Sequence, residues 1–146
     1  MLILGVDPGK NGALAVLDKE AGRVTCHDMP DTVAGVHDLI AGLPVVRLAC
    51  VEKPFYPQHI GTTSVAKIAE AYGVLKGALA WRSIAMFEVR PAEWKAALNL
   101  GPNKGASRER AMMQWPDDAA QWKRAKDDGR AEAALIAWYG LRWVKA

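Results

Sequence analysis

The amino-acid sequence predicts an α/β fold with one mixed five-stranded sheet and helices on both of its faces. Three short strand-like segments come first, separated by glycine-containing turns: LILGVD (2–7), ALAVLD (13–18) and RVTCHDM (23–29). Two further strand-like segments, RLACVEKP (47–54) and IAMFEVR (84–90), alternate with helix-like ones. A meander followed by β-α-β crossovers gives antiparallel strands on one side of a sheet and parallel strands on the other.

The helical segments between these strands are recognised by apolar residues three or four positions apart. Residues 32–43 follow this pattern, and Asp31 precedes them as a candidate N-cap. Residues 62–81 form the clearest predicted helix. On it Gly73 and Gly77 lie one turn apart, which favours close packing against either another helix or the chain's own sheet.

Three helices are predicted after the last strand. PAEWKAAL (91–98) begins with proline, a favoured first helical residue. After a loop over 100–107, Ser107 is the predicted N-cap of a helix that Pro116 ends. Asp128 opens the final helix, GRAEAALIAWYGLRW. No repeat, low-complexity tract or linker interrupts the chain, so a single domain over 1–146 is expected.

The composition favours a soluble, folded protein. Of the 146 residues 51% are apolar and 24% are charged, enough to bury a core. No stretch approaches the ~20 apolar residues that span a bilayer, and no signal peptide is recognisable, so a cytoplasmic location without membrane contact is expected. Cys26 and Cys50 are expected to be small buried hydrophobes, with a disulfide or a metal pair as the alternative.

Positive charge is concentrated in the last part of the chain. Residues 1–89 carry 8 Lys and Arg against 9 Asp and Glu, whereas residues 90–130 carry 9 against 6. A local basic excess indicates a polyanionic partner such as nucleic acid, although solvated surface lysines give the same count.

Four carboxylates are placed where they could converge. Asp7 and Glu52 each end an apolar strand, and if those strands are parallel both emerge at the sheet edge where α/β folds bind ligands. Asp128 and Glu132 share one face of the final helix by their i, i+4 spacing. Each residue also has an ordinary alternative role. Asp7 could cap a turn, Glu52 could form an ion pair with Lys53, and Asp128 and Glu132 could be solvated surface residues.

Carboxylates brought together repel one another, and a divalent cation offsets that repulsion. Hard oxygen ligands suit Mg²⁺ or Mn²⁺ better than Zn²⁺. Two such ions about 4 Å apart form a standard apparatus for hydrolysing a phosphodiester. The sequence therefore predicts a metal-dependent nuclease.

Three blocks, ILGVDPGKNGALAV, VEKPF and KDDGRAEAALIA, resemble the motifs of the RuvC-type Holliday junction resolvases, in the RNase H-like superfamily. The resemblance covers nearly the whole chain and implies the RNase H-like fold. The first block also resembles ATPases of the actin–Hsp70 type, but the chain is far too short for that two-domain fold, and no nucleotide cofactor is expected.

The resemblance implies that Asp7, Glu52, Asp128 and Glu132 are catalytic and bind two Mg²⁺ ions per site, with Mn²⁺ as a substitute. The last block departs from the usual DxxDALA pattern of the bacterial enzymes. Its D-x-x-x-E spacing is more similar to phage and organellar relatives, and Asp127 is the alternative to Asp128.

The same resemblance suggests residues that contact DNA. Phe55 matches an aromatic that inserts into the junction, with Tyr56 as its substitute; a core or turn-filling role is the alternative. Further candidates for phosphate contact are Lys95, Asn103, Lys104, Ser107, Arg108 and Lys126. Each could equally be an ordinary solvated side chain.

The resemblance also implies the function: resolution of four-way junctions by a homodimer, because helix 62–81 resembles the family's dimer-forming helix. Two symmetric nicks made by water would leave 5′-phosphate and 3′-hydroxyl ends. A broader branched-DNA nuclease, acting on forks or flaps, would use the same residues. An inactive junction-binding protein is the alternative of another class, and the intact carboxylate set argues against it.

Overall fold

A five-stranded sheet in the order β3-β2-β1-β4-β5 organises the protein. The structure is a computed structural model and describes residues 1–103 and 105–144. The strands are β1 (Leu2–Asp7), β2 (Ala13–Asp18), β3 (Arg23–Asp28), β4 (Leu48–Glu52) and β5 (Ala85–Val89). The helices are α1 (Val33–Gly42), α2 (Thr62–Trp81), α3 (Pro91–Ala97), α4 (Ala106–Gln114) and α5 (Asp128–Trp143).

Strand pairing follows the predicted mixed topology. β2 pairs antiparallel with β1 and with β3, whereas β4 runs parallel to both β1 and β5. The predicted α/β fold, with an antiparallel meander and then parallel strands, is therefore confirmed.

Side chains alternate between two cores on opposite faces of the sheet. Leu4 and Val6 of β1 pack with the buried residues of α1 and α2 on one face. Ile3 lies on the other face with α5. The α5 core is dominated by small residues and tryptophans, including Ala133, Ala134, Ala137, Trp94, Trp115 and Trp122.

Helix α5 packs so closely on β1 that the two backbones are in contact at Gly5. A Cβ atom built on Gly5 would stand 2.0 Å from the carbonyl oxygen of Ala133 and 2.4 Å from the nitrogen of Ala137. One on Gly129 would stand 2.3 Å from the carbonyl oxygen of Asn11. Only glycine fits at these two positions, and this close approach fixes where the first turns of α5 stand above the end of β1.

Gly5→Ala is expected to lower the free energy of unfolding by about 2 kcal/mol or more, because the added methyl group meets backbone atoms rather than a flexible side chain. Urea denaturation measures the loss. Gly42→Ala is the control, since a Cβ there meets nothing within 4 Å. Equal stability of wild type and Gly5→Ala would contradict the close packing.

Two predicted helix caps are wrong. Thr32, not Asp31, caps α1: its side chain accepts a hydrogen bond from the backbone nitrogen of Gly35 at 3.0 Å. Helix α4 begins one residue before Ser107, and its N-cap is Gly105 with φ of 86°. Gly105 adopts a left-handed backbone conformation, which glycine tolerates, and the helix therefore begins at Ala106 rather than after Ser107.

A segment between α4 and α5 was not predicted as regular structure. It contains two 3₁₀ helices, Pro116–Trp122 and Ala125–Asp127. The first lies along the free edge of β3. Its Asp118 accepts the backbone N–H of Val24 at 2.9 Å, and the side chain of Gln121 bonds both the Val24 oxygen and the Cys26 nitrogen at 2.7 Å. Side chains thus satisfy edge groups that a neighbouring strand would otherwise pair.

One face of α2 is open. A Cβ on Gly73 or Gly77 would meet nothing within 4 Å, and Trp81 at the helix end is 61% exposed. The two glycines therefore do not mediate packing on the chain's own sheet, which was one of the two expectations.

Both cysteines are free thiols. Cys50 is fully buried in the α5 core, as expected of a small hydrophobe, and Cys26 is partly buried. Among the described residues no helix is both long and apolar enough to cross a membrane.

Candidate active site

Asp7 and Glu52 leave the sheet side by side. β1 and β4 are parallel neighbours in which Val6 pairs with Val51, so the next residue of each strand is a carboxylate. By alternation both belong to the face that carries α5, since Gly5 and Cys50 two residues earlier contact that helix. The two strands are therefore parallel and end at the same edge of the sheet, as the sequence predicts.

Glu132 completes a three-carboxylate cluster. It lies on α5 one residue before Ala133, the residue packed against Gly5. Its negative charge raises the pKa of both Asp7 and Glu52. Carboxylates from β1, β4 and α5 are thus close enough to act on one another.

Asp7 is the most perturbed member of this cluster. Burial, followed by the charges of Glu132 and Glu52, raises its pKa from 3.8 to about 8, and Lys95 opposes the shift. Among the described residues no hydrogen bond or ion pair holds its carboxylate. A partly buried carboxylate without a partner is costly, so Asp7 is where an external cation would gain most.

Trp94 donates a hydrogen bond to the carboxylate of Glu52. The indole N–H of Trp94, a fully buried side chain, donates to Oε2 of Glu52 at 2.6 Å. Burial raises the pKa of Glu52, and this hydrogen bond works against the rise. The bond also fixes the orientation of the carboxylate.

Cationic side chains neutralise the two helical carboxylates. Lys95 Nζ lies 3.1 Å from Oε1 of Glu132, and the Ser107 hydroxyl donates to the same oxygen at 3.3 Å. Arg108 Nε donates to Oδ1 of Asp128 at 2.6 Å. The Asp128 side chain is 49% exposed and stands at the rim.

Asp127 is differently placed. It is buried, and Arg124 engages both of its oxygens through the guanidinium and the backbone N–H, at 2.8 to 3.1 Å. These hydrogen bonds lower its pKa. Its carboxylate serves the 3₁₀ turn before α5, so of the two aspartates Asp128 is the more available ligand.

Within residues 1–103 and 105–144 no three carboxylate, imidazole or thiol groups already surround a common point as they would around an ion. Glu132 and Asp128 are instead directed at Lys95 and Arg108. The chemistry of the donor set nevertheless fits a hard divalent cation, because three oxygen-donor side chains repel one another at one sheet edge.

In metal-free buffer the stability of the protein is expected to fall between about pH 4 and pH 8. The folded state keeps a proton on Asp7 up to about pH 8, whereas the unfolded chain releases it near 3.8. The stabilisation is complete below the lower value and is lost as pH rises through the higher one, on the order of a few kcal/mol. Urea denaturation from pH 5 to 9 measures this slope, and Asp7→Asn should flatten it. An unchanged slope in that variant would contradict the assignment.

No protein-family model matches the chain, and no curated protein matches it in sequence. Solved structures do match in fold. RuvC of Thermus thermophilus in complex with a Holliday junction substrate is 16% identical, with a TM-score of 0.63 over 99% of this chain and 97% of that one. The fowlpox virus Holliday junction resolvase is 15% identical, with a TM-score of 0.64 over 99% and 100%.

The chain has the fold of RuvC-type resolvases. A second structure of Thermus thermophilus RuvC agrees, at 18% identity and a TM-score of 0.59 over 97% of this chain and 96% of that one. The RNase H-like fold implied by the sequence motifs is thereby confirmed at nearly full length.

Two predicted DNA-contacting aromatics are exposed on this RuvC-type fold. Phe55 is 74% and Tyr56 42% exposed, in the irregular segment that follows β4. The core role considered for Phe55 is therefore excluded. Both residues follow Glu52 by three to four positions in the sequence.

The basic and polar DNA candidates divide into two groups. Lys95, Ser107 and Arg108 contact the helical carboxylates directly, and Ser107 is buried. Asn103 and Lys126 are exposed without a side-chain partner among the described residues, and Lys104 lies outside the described residues.

Sequence reasoning missed Trp94. Its position next to the candidate Lys95 was one indication of a role at the site, because a buried indole N–H usually has a hydrogen-bond acceptor. Its acceptor, Glu52, is 42 residues away in sequence. Only the tertiary structure identifies it.

Proposed function

We propose that this chain is a structure-selective DNA endonuclease that resolves four-way (Holliday) junctions. The observation that carries the proposal is the meeting of Asp7, Glu52 and Glu132 at one edge of the sheet. The fold supports it, because the proteins that share it include Holliday junction resolvases from a bacterium and a virus.

The carboxylate cluster would hold Mg²⁺, with Mn²⁺ as a substitute and two ions per site. Asp7, Glu52 and Glu132 are the proposed ligands, and Asp128 is available at the rim. When bound, such ions stabilise negative charge on a phosphate and lower the pKa of water, the nucleophile. Hydrolysis would leave 5′-phosphate and 3′-hydroxyl ends.

The surrounding side chains have defined tasks in this proposal. Trp94 keeps Glu52 oriented through its hydrogen bond. Lys95 places an ammonium group beside Glu132, where it can also attract a phosphate oxygen. Arg108 holds Asp128 at the rim and can exchange it for DNA phosphate.

Exposed aromatic and basic side chains would provide the DNA-binding surface in this proposal. Phe55, with Tyr56 next to it, can stack on a base freed at the exchange point. Asn103, Lys104 and Lys126 are proposed to contact phosphates.

The open face of α2 is the proposed homodimer contact. Gly73 and Gly77 leave room for a second helix, and the exposed Trp81 adds apolar area. A two-fold dimer presents two active sites to a nearly two-fold junction, so paired symmetric nicks would follow.

Cleavage of a synthetic mobile four-way junction in Mg²⁺, beside matched fork, flap and linear duplexes, tests the function. Paired symmetric nicks on the junction are the expected result. Equal cutting of forks and flaps would indicate a general branched-DNA nuclease. Tight junction binding without cutting in Mg²⁺ or Mn²⁺ would show an inactive binding protein and overturn the catalytic assignment.

A further inference from the structure

A stack of cationic and aromatic side chains lies on α4 and α5, away from the carboxylates. The guanidinium carbons of Arg110 and Arg142 lie 5.3 and 5.2 Å from the ring centre of Trp138. Arg142 also lies 5.0 Å from the ring of Trp143, which stacks on Tyr139 at 5.3 Å. Two arginines thus share one indole.

Among the described residues nothing compensates the positive charge of this stack. No ion pair or hydrogen bond formed among residues 1–103 and 105–144 involves Arg110 or Arg142. In addition, Nε of Arg110 is buried and has no acceptor within the described part of the chain. A buried donor without a partner costs free energy. Because this nitrogen is covered, an acceptor oxygen from outside the chain would bind the Nη groups of Arg110 and the exposed Arg142 instead.

The guanidinium N–H groups of the stack are suited to binding phosphate oxygens. A guanidinium that lies over an indole leaves its edge, with several N–H groups, free to bind oxygens. Stacking restricts the side chain before binding and so reduces the entropy lost on binding. A phosphate, with its spread of acceptor oxygens, matches such an edge.

The location connects the stack to the candidate active site. Arg110 lies one helical turn beyond Ser107, whose hydroxyl contacts Glu132. Trp138 and Arg142 lie six and ten residues after Glu132 on α5, or roughly 9 and 15 Å along the helix. For a junction arm aligned with α5, at about 3.4 Å of duplex axis per nucleotide, this distance corresponds to roughly three to four nucleotides.

We infer that Arg110 and Arg142, held by Trp138, bind the phosphate backbone of a junction arm about three to four nucleotides from the cleaved bond. The inference rests on the proposed function, whose site supplies the reference point. It assigns DNA contacts to residues outside the motif blocks.

Junction binding measured by fluorescence anisotropy in EDTA, over a series of salt concentrations, tests the inference. Arg142→Gln is expected to bind roughly tenfold more weakly, and its slope of log K against log salt should be shallower by about 1. Arg142→Lys, which keeps the charge, should restore the slope. Arg47→Gln is the matched control, an exposed arginine immediately before β4 that takes no part in the stack, and should bind like wild type.

A second junction, with a neutral methylphosphonate three or four nucleotides from the cleaved bond, tests the position of the contact. Arg142→Gln should lose affinity on the natural junction and little more on the modified one. An unchanged salt slope in Arg142→Gln, in a wild type that binds and cuts junctions, would overturn the inference alone. Failure of the wild type to prefer junctions over duplex would overturn the proposed function instead.

Discussion

Asp7→Asn is expected to slow junction cleavage by on the order of a thousandfold or more while junction binding is retained. The charges of Glu132 and Glu52 both act on Asp7. Within the described part of the chain its carboxylate has no hydrogen-bond or ion-pair partner, unlike those of Glu52, Asp128 and Glu132. An amide removes the negative charge that a divalent cation needs. Metal stabilisation of phosphate charge contributes several kcal/mol, and each 1.4 kcal/mol corresponds to a factor of ten in rate.

Single-turnover cleavage and anisotropy binding measure the two quantities for the same protein. Asp38→Asn, a change of the same type at an 83% exposed side chain on α1, is the control and should cut like wild type. Mn²⁺ should raise the melting temperature of wild type but not of Asp7→Asn, because a ligand that binds only the folded state stabilises it. Near-normal cleavage by Asp7→Asn would remove Asp7 from the catalytic centre.

The second large effect is expected at Trp94. Trp94→Phe keeps an aromatic ring but removes the N–H that donates to Glu52. Groups that orient a metal ligand typically contribute 10- to 100-fold in affinity or activity. We therefore expect a loss of that size in Mn²⁺ affinity, measured by calorimetry, and in cleavage.

Trp122→Phe separates this effect from the cavity that any such change creates. Trp122 is also fully buried, but its indole nitrogen has no hydrogen-bond partner among the described residues. Both variants should lose similar stability, and only Trp94→Phe should lose metal affinity. Equal losses of metal affinity in the two would show that Trp94 acts through packing.

Much of the fold and of the cluster follows from local sequence pattern. Apolar segments that end in Asp7 and Glu52 predict strand ends, and the parallel β-α-β crossover then places them together. The position of Glu132 follows from helical spacing. These relations need only element type and connection, so a single sequence carries them.

The side chains that contact the two carboxylates of α5 could not be predicted from local sequence pattern. Lys95, Ser107 and Arg108 were predicted to contact DNA, yet in the structure each contacts a carboxylate of α5. Which acid a long cationic side chain reaches depends on how helices α3 and α4 dock. The roles of Asp118 and Gln121 at the edge of β3 were missed for the same reason.

The backbone contact between Gly5 and α5 has a consequence for biosynthesis. β1 precedes all other described strands and helices and α5 follows them, so the two partners of this contact are synthesised far apart in time. Glu132 joins Asp7 only when α5 docks on the sheet. The carboxylate cluster is therefore complete only after α5 has been synthesised and has docked, and the cleavage proposed for this chain would have to wait for that step.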